Sequence, residues 1–349
     1  MTNYAFSRLT IDTKALQANY RLLQNRVGTS CLVAGVVKAD GYGLGVDVVV
    51  PALEEAGCKF FYVAQLEEAL VVRALTDHPV AVLGGFPEGC EKHYRHLGLI
   101  PVLNTVAEIS RCPADLPAIW HIDTGMNRLG LAPQEVLPLL QTHGAPALMM
   151  THFSSSDEVD ISPSQKQVSL FDSVAPSSVP HSICNSSGIF RNDLWHRSQV
   201  RAGMALYGLN PTPEMKNPMQ DVVKLEARIL QIREAKSGET VGYNRTHALA
   251  ADTKLATVGL GYADGFLRSG SNSSCLYWNG QACPVVGRVS MDLIVVDIGK
   301  ITGIQPQEGH WMDVIGAHQN ADQLATSWHT IGYEVLTSLG SRAERLILF

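Results

Sequence analysis

Short apolar, β-branched runs recur along the first 210 residues, and between them lie segments whose apolar positions repeat at helical spacing. The runs are LVAGVVKAD, FFYVAQ, PVAVLGG, LIPVLN, AIWHID, ALMMTHF, SVPHSIC and AGMALYG; the helical segments include TKALQANYRLLQNRV, EEALVVRAL and PQEVLPLLQTH. Near-continuous apolar strands joined by helices need cover on both faces, which predicts a parallel sheet. About eight strand candidates favour closure into an α/β (β/α)8 TIM-like barrel over an open sheet.

The pattern changes after NPTPEMKNP at 210–218. From VVKLEARILQIREA onward, strands alternate with turn signals such as SGE, WNG and EGH, and amphipathic helices vanish until ADQLATSWHTIG. The expectation is a barrel over 1–218 and a C-terminal mostly-β domain over 219–349. No internal repeat or low-complexity tract interrupts either part.

Composition narrows the task. The 349 residues are 46% hydrophobic and carry 27 basic and 33 acidic side chains, net −6, with no basic run. Nucleic acid and anionic membranes gain no support, and a small-molecule substrate is the default. The N-terminus lacks the pattern of a secretory signal and no apolar stretch is long enough to span a bilayer, which points to the cytoplasm. The seven scattered cysteines include no CxxC pair and suit reduced thiols. His93 and His96 could share a helix face, but no third ligand is near in sequence, so no metal is expected. The QLEE and EEAL acids read as solvated helix faces.

In GVVKADGYGLG, Lys38 ends an apolar run just before a glycine-punctuated turn. Either it reaches past the strand end to water or it has a chemical task at the end of the barrel where such folds keep their chemistry. The spacing of Gly41, Gly43 and Gly45 is not a dinucleotide fingerprint, and no phosphate-loop lysine pattern exists. Other candidates follow in order: Arg128 in HIDTGMNRLGL, Ser186 in CNSSG, Arg201 in QVRAGMALYG, Tyr243 in VGYNRT and Tyr262 in GLGYADG.

These motifs, with LTIDTKALQANY, THFSSSDE, GRVSMD and IGYEVLT, make the chain resemble the alanine racemases, pyridoxal 5'-phosphate (PLP) enzymes of the barrel-plus-β-domain class. The resemblance implies that Lys38 carries the cofactor covalently and serves one face of the substrate α-carbon. It implies that Tyr243, from the second domain of a partner subunit, serves the other, so the expected assembly is a homodimer with shared sites. His152 would hydrogen-bond that tyrosine, with Arg201 behind it and facing the cofactor ring nitrogen. On its own spacing His152 reads as a satisfied core histidine. The phosphate would meet Tyr42, Ser186, Gly203, Met204 and Tyr333; the substrate carboxylate would meet Arg128, Met291, Asp292 and Tyr262. The implied reaction interconverts L- and D-alanine and supplies D-alanine for peptidoglycan. A broader amino-acid racemase accepting serine, or a PLP-binding barrel without turnover, is the alternative. A decarboxylase conflicts with Arg201, and an aldolase would be expected to show a metal cluster.

One position departs from a well-known version of the family. Where KxDTGMxRLG carries a lysine that can be carbamylated to anchor the arginine, this chain has His121. Histidine forms no stable carbamate, so either its imidazole, a bound anion or another side chain positions Arg128, or His121 packs under the barrel rim.

Overall fold

A computed structural model describes residues 4–349. By contacts the chain divides into two units, Lys14–Gln220 and a second that joins the N-terminal strand to Asp221–Phe349. In the first unit eight parallel strands close on themselves: Leu32–Val36, Phe61–Val63, Val80–Val82, Ile100–Leu103, Ile119–His121, Leu148–Met150, His181–Ser182 and Gln199–Ala202. The last pairs with the first in a register that sets Arg201 opposite Ala34. Most positions in these strands are buried on both faces, the condition that a closed parallel sheet imposes and that apolar runs without alternation announce. Helices Val46–Glu55, Leu66–Arg73, Val106–Arg111, Pro133–His143 and Ser162–Val174 supply most of the crossovers, and Thr13–Val27 leads into the first strand.

Two sequence-based expectations need correction. AGMALYG is mostly not a strand: the strand stops at Ala202, and Met204–Tyr207 forms a 3-10 turn that Gly208 ends at φ 87°. Ser7–Asp12, grouped with the barrel in the 1–218 division, is a strand of the second unit. It pairs antiparallel with Val223–Ala235 and parallel with Glu344–Leu348, so its backbone groups are satisfied there.

The second unit is mostly β. Its long strand Val223–Ala235 pairs with Ser7–Asp12 and Trp311–Ile315 along its first half and with Thr253–Val258 along its second, shifting register between Ile229 and Gln231. One extra residue at such a bulge lets a single strand serve two sheets. Helices Ala321–Trp328 and Gly332–Ser338 follow, the second unforeseen. No helix among the described residues is long and apolar enough to cross a membrane.

Candidate active site

The barrel strand Leu32–Val36 leads into a change of hand. Ala39, Asp40, Gly41, Tyr42 and Gly43 take φ of 53°, 53°, 61°, 56° and 84°, a left-handed turn directly after Lys38. Such backbone costs a residue with a Cβ about 1–2 kcal/mol, so three non-glycine residues stay there only because bonds hold them. Gly43 N donates to Ala39 O (2.8 Å), and Asp40 accepts twice, from Gly45 N at its carbonyl and from Val46 N at Oδ1 (both 2.9 Å). Lys38 is left half-buried, its ammonium without a hydrogen-bond acceptor among the described residues. Burial lowers its pKa, the Arg128 cation lowers it further and the Glu68 carboxylate opposes both. A neutral amine, the form that attacks a carbonyl, is therefore more accessible than in a free lysine.

Arg201, only 4% exposed, is surrounded by acceptors. Nη1 donates to Ser182 O (2.8 Å) and Ser182 Oγ (2.7 Å), and Nη2 donates to Thr151 O (2.6 Å) and His152 Nδ1 (3.3 Å). A guanidinium only donates, so His152 accepts at Nδ1 and carries its proton at Nε2. Burial, then the cations of Arg201 and Arg128, push the His152 pKa well below 6.5 and keep the ring neutral. Gln167 pins this segment: it donates to His152 O (3.0 Å) and accepts from Ser154 N (3.0 Å).

Arg128 follows a tight turn in which Asp123 Oδ1 accepts from the amides of Gly125, Met126 and Asn127 (2.9, 2.9 and 3.2 Å). Its guanidinium is exposed and meets no acceptor among the described residues, which suits an external carboxylate. His121 is 9% exposed and does more than pack. Asn104 uses its amide N–H groups on Leu83 O (3.2 Å) and Val102 O (2.9 Å), so its Oδ1 accepts from His121 Nδ1 (2.9 Å). Nε2 is left as an acceptor. Burial, then the Arg201 cation, take the His121 pKa from 6.5 to about 4, with Asp123 opposing and Arg128 reinforcing the shift.

Hydroxyl and amide groups collect at a third point. Ser186 Oγ accepts from Gly203 N (2.9 Å) and Ala205 N (3.3 Å). The Tyr42 ring stacks on Tyr207 at 4.4 Å, and a Cβ on Gly203 would run into the Tyr42 hydroxyl, so glycine is what lets the two approach. Two hydroxyls and the amides that open the Met204–Tyr207 turn gather here, and a phosphate could take the place of the bonds that Ser186 Oγ now receives from those amides.

The second unit gathers the remaining candidates. Tyr243 is 69% exposed, between Gly242 at φ 73° and Asn244 at φ 60°. Tyr262 and Met291 share one cluster: Tyr262 N donates to Ser290 O (3.1 Å) and Ala263 N to Met291 O (3.0 Å), and Gly261 leaves no room for a Cβ against Met291. Asp292 has its carboxylate engaged by Arg342 Nη1 (2.8 Å), and Arg342 Nε also meets Asp264 (3.3 Å). Tyr333 is half-buried in the helix Gly332–Ser338.

The structure thus brings Lys38, Tyr42, Arg128, His152, Ser186, Arg201, Gly203 and Met204 to the C-terminal end of the barrel, and carries Tyr243, Tyr262, Met291, Asp292 and Tyr333 on the other unit. Sequence reasoning missed Glu68, Asn104, Gln167 and Arg342. Glu68 belongs to the QLEE segment read as a solvated helix face, yet its carboxylate accepts from three backbone amides. Its position three residues after the helix start was the available signal. Among the described residues no group of His, Cys, Asp or Glu could hold a metal ion.

The alanine racemase N-terminal domain profile matches residues 11–211 and the C-terminal domain profile matches 222–347. An alanine racemase of Methylobacterium nodulans is 44% identical, covering 97% of this chain and 95% of its own, and one of Rhodospirillum rubrum is 42% identical over 98% and 96%. The crystal structure of a Bartonella henselae alanine racemase with covalently bound pyridoxal phosphate superposes with a TM-score of 0.93 at 37% identity, covering 99% of this chain and all of that one. Matches that run through both units, at this identity and with the barrel intact, place the chain in the alanine racemase family.

Proposed function

We propose that the chain is a PLP-dependent racemase that interconverts L- and D-alanine and so supplies D-alanine for peptidoglycan, working as a cytoplasmic homodimer. The observation that carries this reading is Lys38: an amine with a depressed pKa and no acceptor, at the end of a barrel strand whose neighbours are Arg128 and the neutral His152. The cradle of Tyr42, Ser186 and Gly203 fits the cofactor phosphate. When bound, PLP supplies an aldehyde that captures the substrate amine and a ring that draws electrons from its α-carbon.

The chain's own residues then divide the work. Lys38 would hold the cofactor; Tyr42, Ser186, the amides of Gly203 and Met204, and Tyr333 would take the phosphate. Arg201 would face the ring nitrogen. Because a guanidinium stays protonated and only donates, it leaves that nitrogen unprotonated and limits electron withdrawal to what proton exchange needs. Arg128, Tyr262 and the Met291–Asp292 turn would hold the substrate carboxylate; Asp292 acts there through its main chain, since Arg342 occupies its carboxylate.

Racemisation needs proton-transfer groups on both faces of the α-carbon. Lys38 serves one face, and Tyr243 of the partner subunit serves the other. A phenol titrates near pH 10, so as a base it needs a donor, and the Nε2–H that Arg201 fixes on His152 is that donor. The seven unpaired cysteines accord with a reducing compartment.

The test is direct. Purified protein, with and without added PLP, is incubated with L-alanine and L-serine, and D-isomers are resolved by chiral chromatography. PLP-dependent D-alanine is expected. D-serine at a comparable rate would widen the substrate class, and no D-isomer from either substrate would overturn the reading.

A further inference from the structure

In three helices that follow barrel strands the third residue after the cap is a glutamate, and these side chains do different things. Glu135, in Pro133–His143, accepts from Ala132 N (2.8 Å), an amide of its own loop. Glu108, in Val106–Arg111, accepts from Asn104 N (2.6 Å) behind its own strand and reaches across to Phe86 N (3.1 Å) behind the neighbouring one. Glu68, in Leu66–Arg73, does the same at the preceding strand pair. Oε2 accepts from Ala64 N (2.7 Å) and Gln65 N (3.1 Å), and Oε1 accepts from Ala39 N (2.7 Å). Ala39 is the first residue of the left-handed turn and the immediate neighbour of Lys38.

We propose that Glu68 is a positioning residue for Lys38: its carboxylate ties the end of the Phe61–Val63 strand to the left-handed turn and so fixes the direction in which the lysine leaves the barrel. The proposal rests on the reading that Lys38 holds the cofactor. Two features make the contact more than a helix cap. An ordinary cap uses amides of its own helix start, whereas Oε1 is spent on a different strand, at a backbone that would otherwise relax from an unfavourable φ. The same carboxylate also acts on the Lys38 amine, raising its pKa against its burial and the Arg128 cation. Glu68 therefore sets both where the amine points and how readily it loses its proton. A misplacement of about 1 Å at a reacting group costs on the order of a hundredfold in rate, which is the scale at stake.

Two variants separate geometry from charge, with Glu135→Gln as the ordinary-cap control. Glu68→Asp keeps the charge and shortens the reach. In the holoenzyme, amide hydrogen exchange resolved to single residues should show Ala39 losing protection, with kcat falling roughly tenfold to a hundredfold and KM within about twofold. Glu68→Gln keeps the length and removes the charge. In the full chain freed of cofactor, the pH profile of Lys38 acetylation, read by peptide mapping, should move to lower pH. Glu135→Gln should leave Ala39 exchange, the Lys38 profile and kcat as they are. Unchanged Ala39 protection in Glu68→Asp together with an unchanged Lys38 profile in Glu68→Gln would overturn the proposal, as would equal effects from Glu135→Gln. These readouts do not depend on the cofactor's attachment site, so reduction with borohydride that labels a different lysine would refute the cofactor reading while leaving the Glu68 contact measurable.

Discussion

The barrel end and the second unit carry functional side chains in opposite states. At the barrel end Lys38, His121, His152 and Arg201 all have lowered pKa values with burial as the leading cause, and the three besides Lys38 are also tied into hydrogen-bond networks. On the second unit Tyr243, Tyr262 and Met291 are 69%, 44% and 54% exposed. Desolvation and fixed donors tune a group before substrate arrives; an exposed phenol has neither. On the proposed reading the difference means that the barrel prepares its own half of the chemistry, whereas Tyr243 would draw its surroundings from a partner. That exposure is the physical argument behind the proposed shared site.

The hardest test of this asymmetry removes the prepared half. Lys38→Ala should lower kcat by at least about a thousandfold, because one proton-transfer face and the cofactor attachment go together. Borohydride reduction of the wild-type holoenzyme followed by peptide mapping should put the label on Lys38, and a label elsewhere breaks the scheme. Next comes the shared half. Mixing Lys38→Ala with Tyr243→Phe subunits, each inactive alone, should restore up to about a quarter of wild-type activity, since half of randomly paired dimers are hybrids with one intact site of two. No recovery after verified subunit exchange would mean that each chain completes its own site.

Legibility in the sequence follows the same divide. The barrel could be read because strands buried on both faces leave continuous apolar runs, and Thr13–Val27 and Pro133–His143 could be read because their apolar spacing is regular. Lys38 and Arg201 stood out as charged residues at strand ends. What could not be read was pairing across distance. Ser7–Asp12 looks like a lead into the first helix until its partners more than 210 positions away are known, and nothing in QLEE says that one oxygen of Glu68 serves Ala39. The left-handed turn was visible only through its glycines, although Ala39, Asp40 and Tyr42 share it.

The buried imidazoles make a smaller, pH-dependent claim. His121 titrates near 6.5 when unfolded and at about 4 when folded. Between these values the unfolded chain binds more protons, so stability is complete above pH 6.5 and is lost as pH falls toward 4. The loss from this one group is roughly 3 kcal/mol, and His152 adds to it with the same sign. Denaturant unfolding of His121→Gln at pH 7 and pH 4.5 should show a shallower decline than wild type. An equal decline would mean that the imidazole is not held neutral by the fold.

The smallest expected effect asks what that neutral imidazole does. Asn104 takes the proton on Nδ1, so Nε2 can only accept, and the Arg128 cation, which acts on the imidazole and meets no acceptor among the described residues, is the donor expected to reach it when substrate is bound. A neutral ring at this place is a poor partner for a bound anion but a suitable one for a cation that donates. His121→Ala should cost about 1–3 kcal/mol, the range for losing a buried hydrogen bond to a charged group. If Arg128 grips the carboxylate equally in ground and transition states, the loss falls on KM and kcat is spared; equal losses in kcat and kcat/KM would mean that the grip tightens only in the transition state. Activity of the wild type should not respond to bicarbonate, because no lysine carbamate forms here, whereas His121→Lys should gain a bicarbonate-dependent component. Steady-state kinetics of the three proteins with and without bicarbonate decide it, and a fully active His121→Ala would leave the Asn104–His121 pair as packing alone.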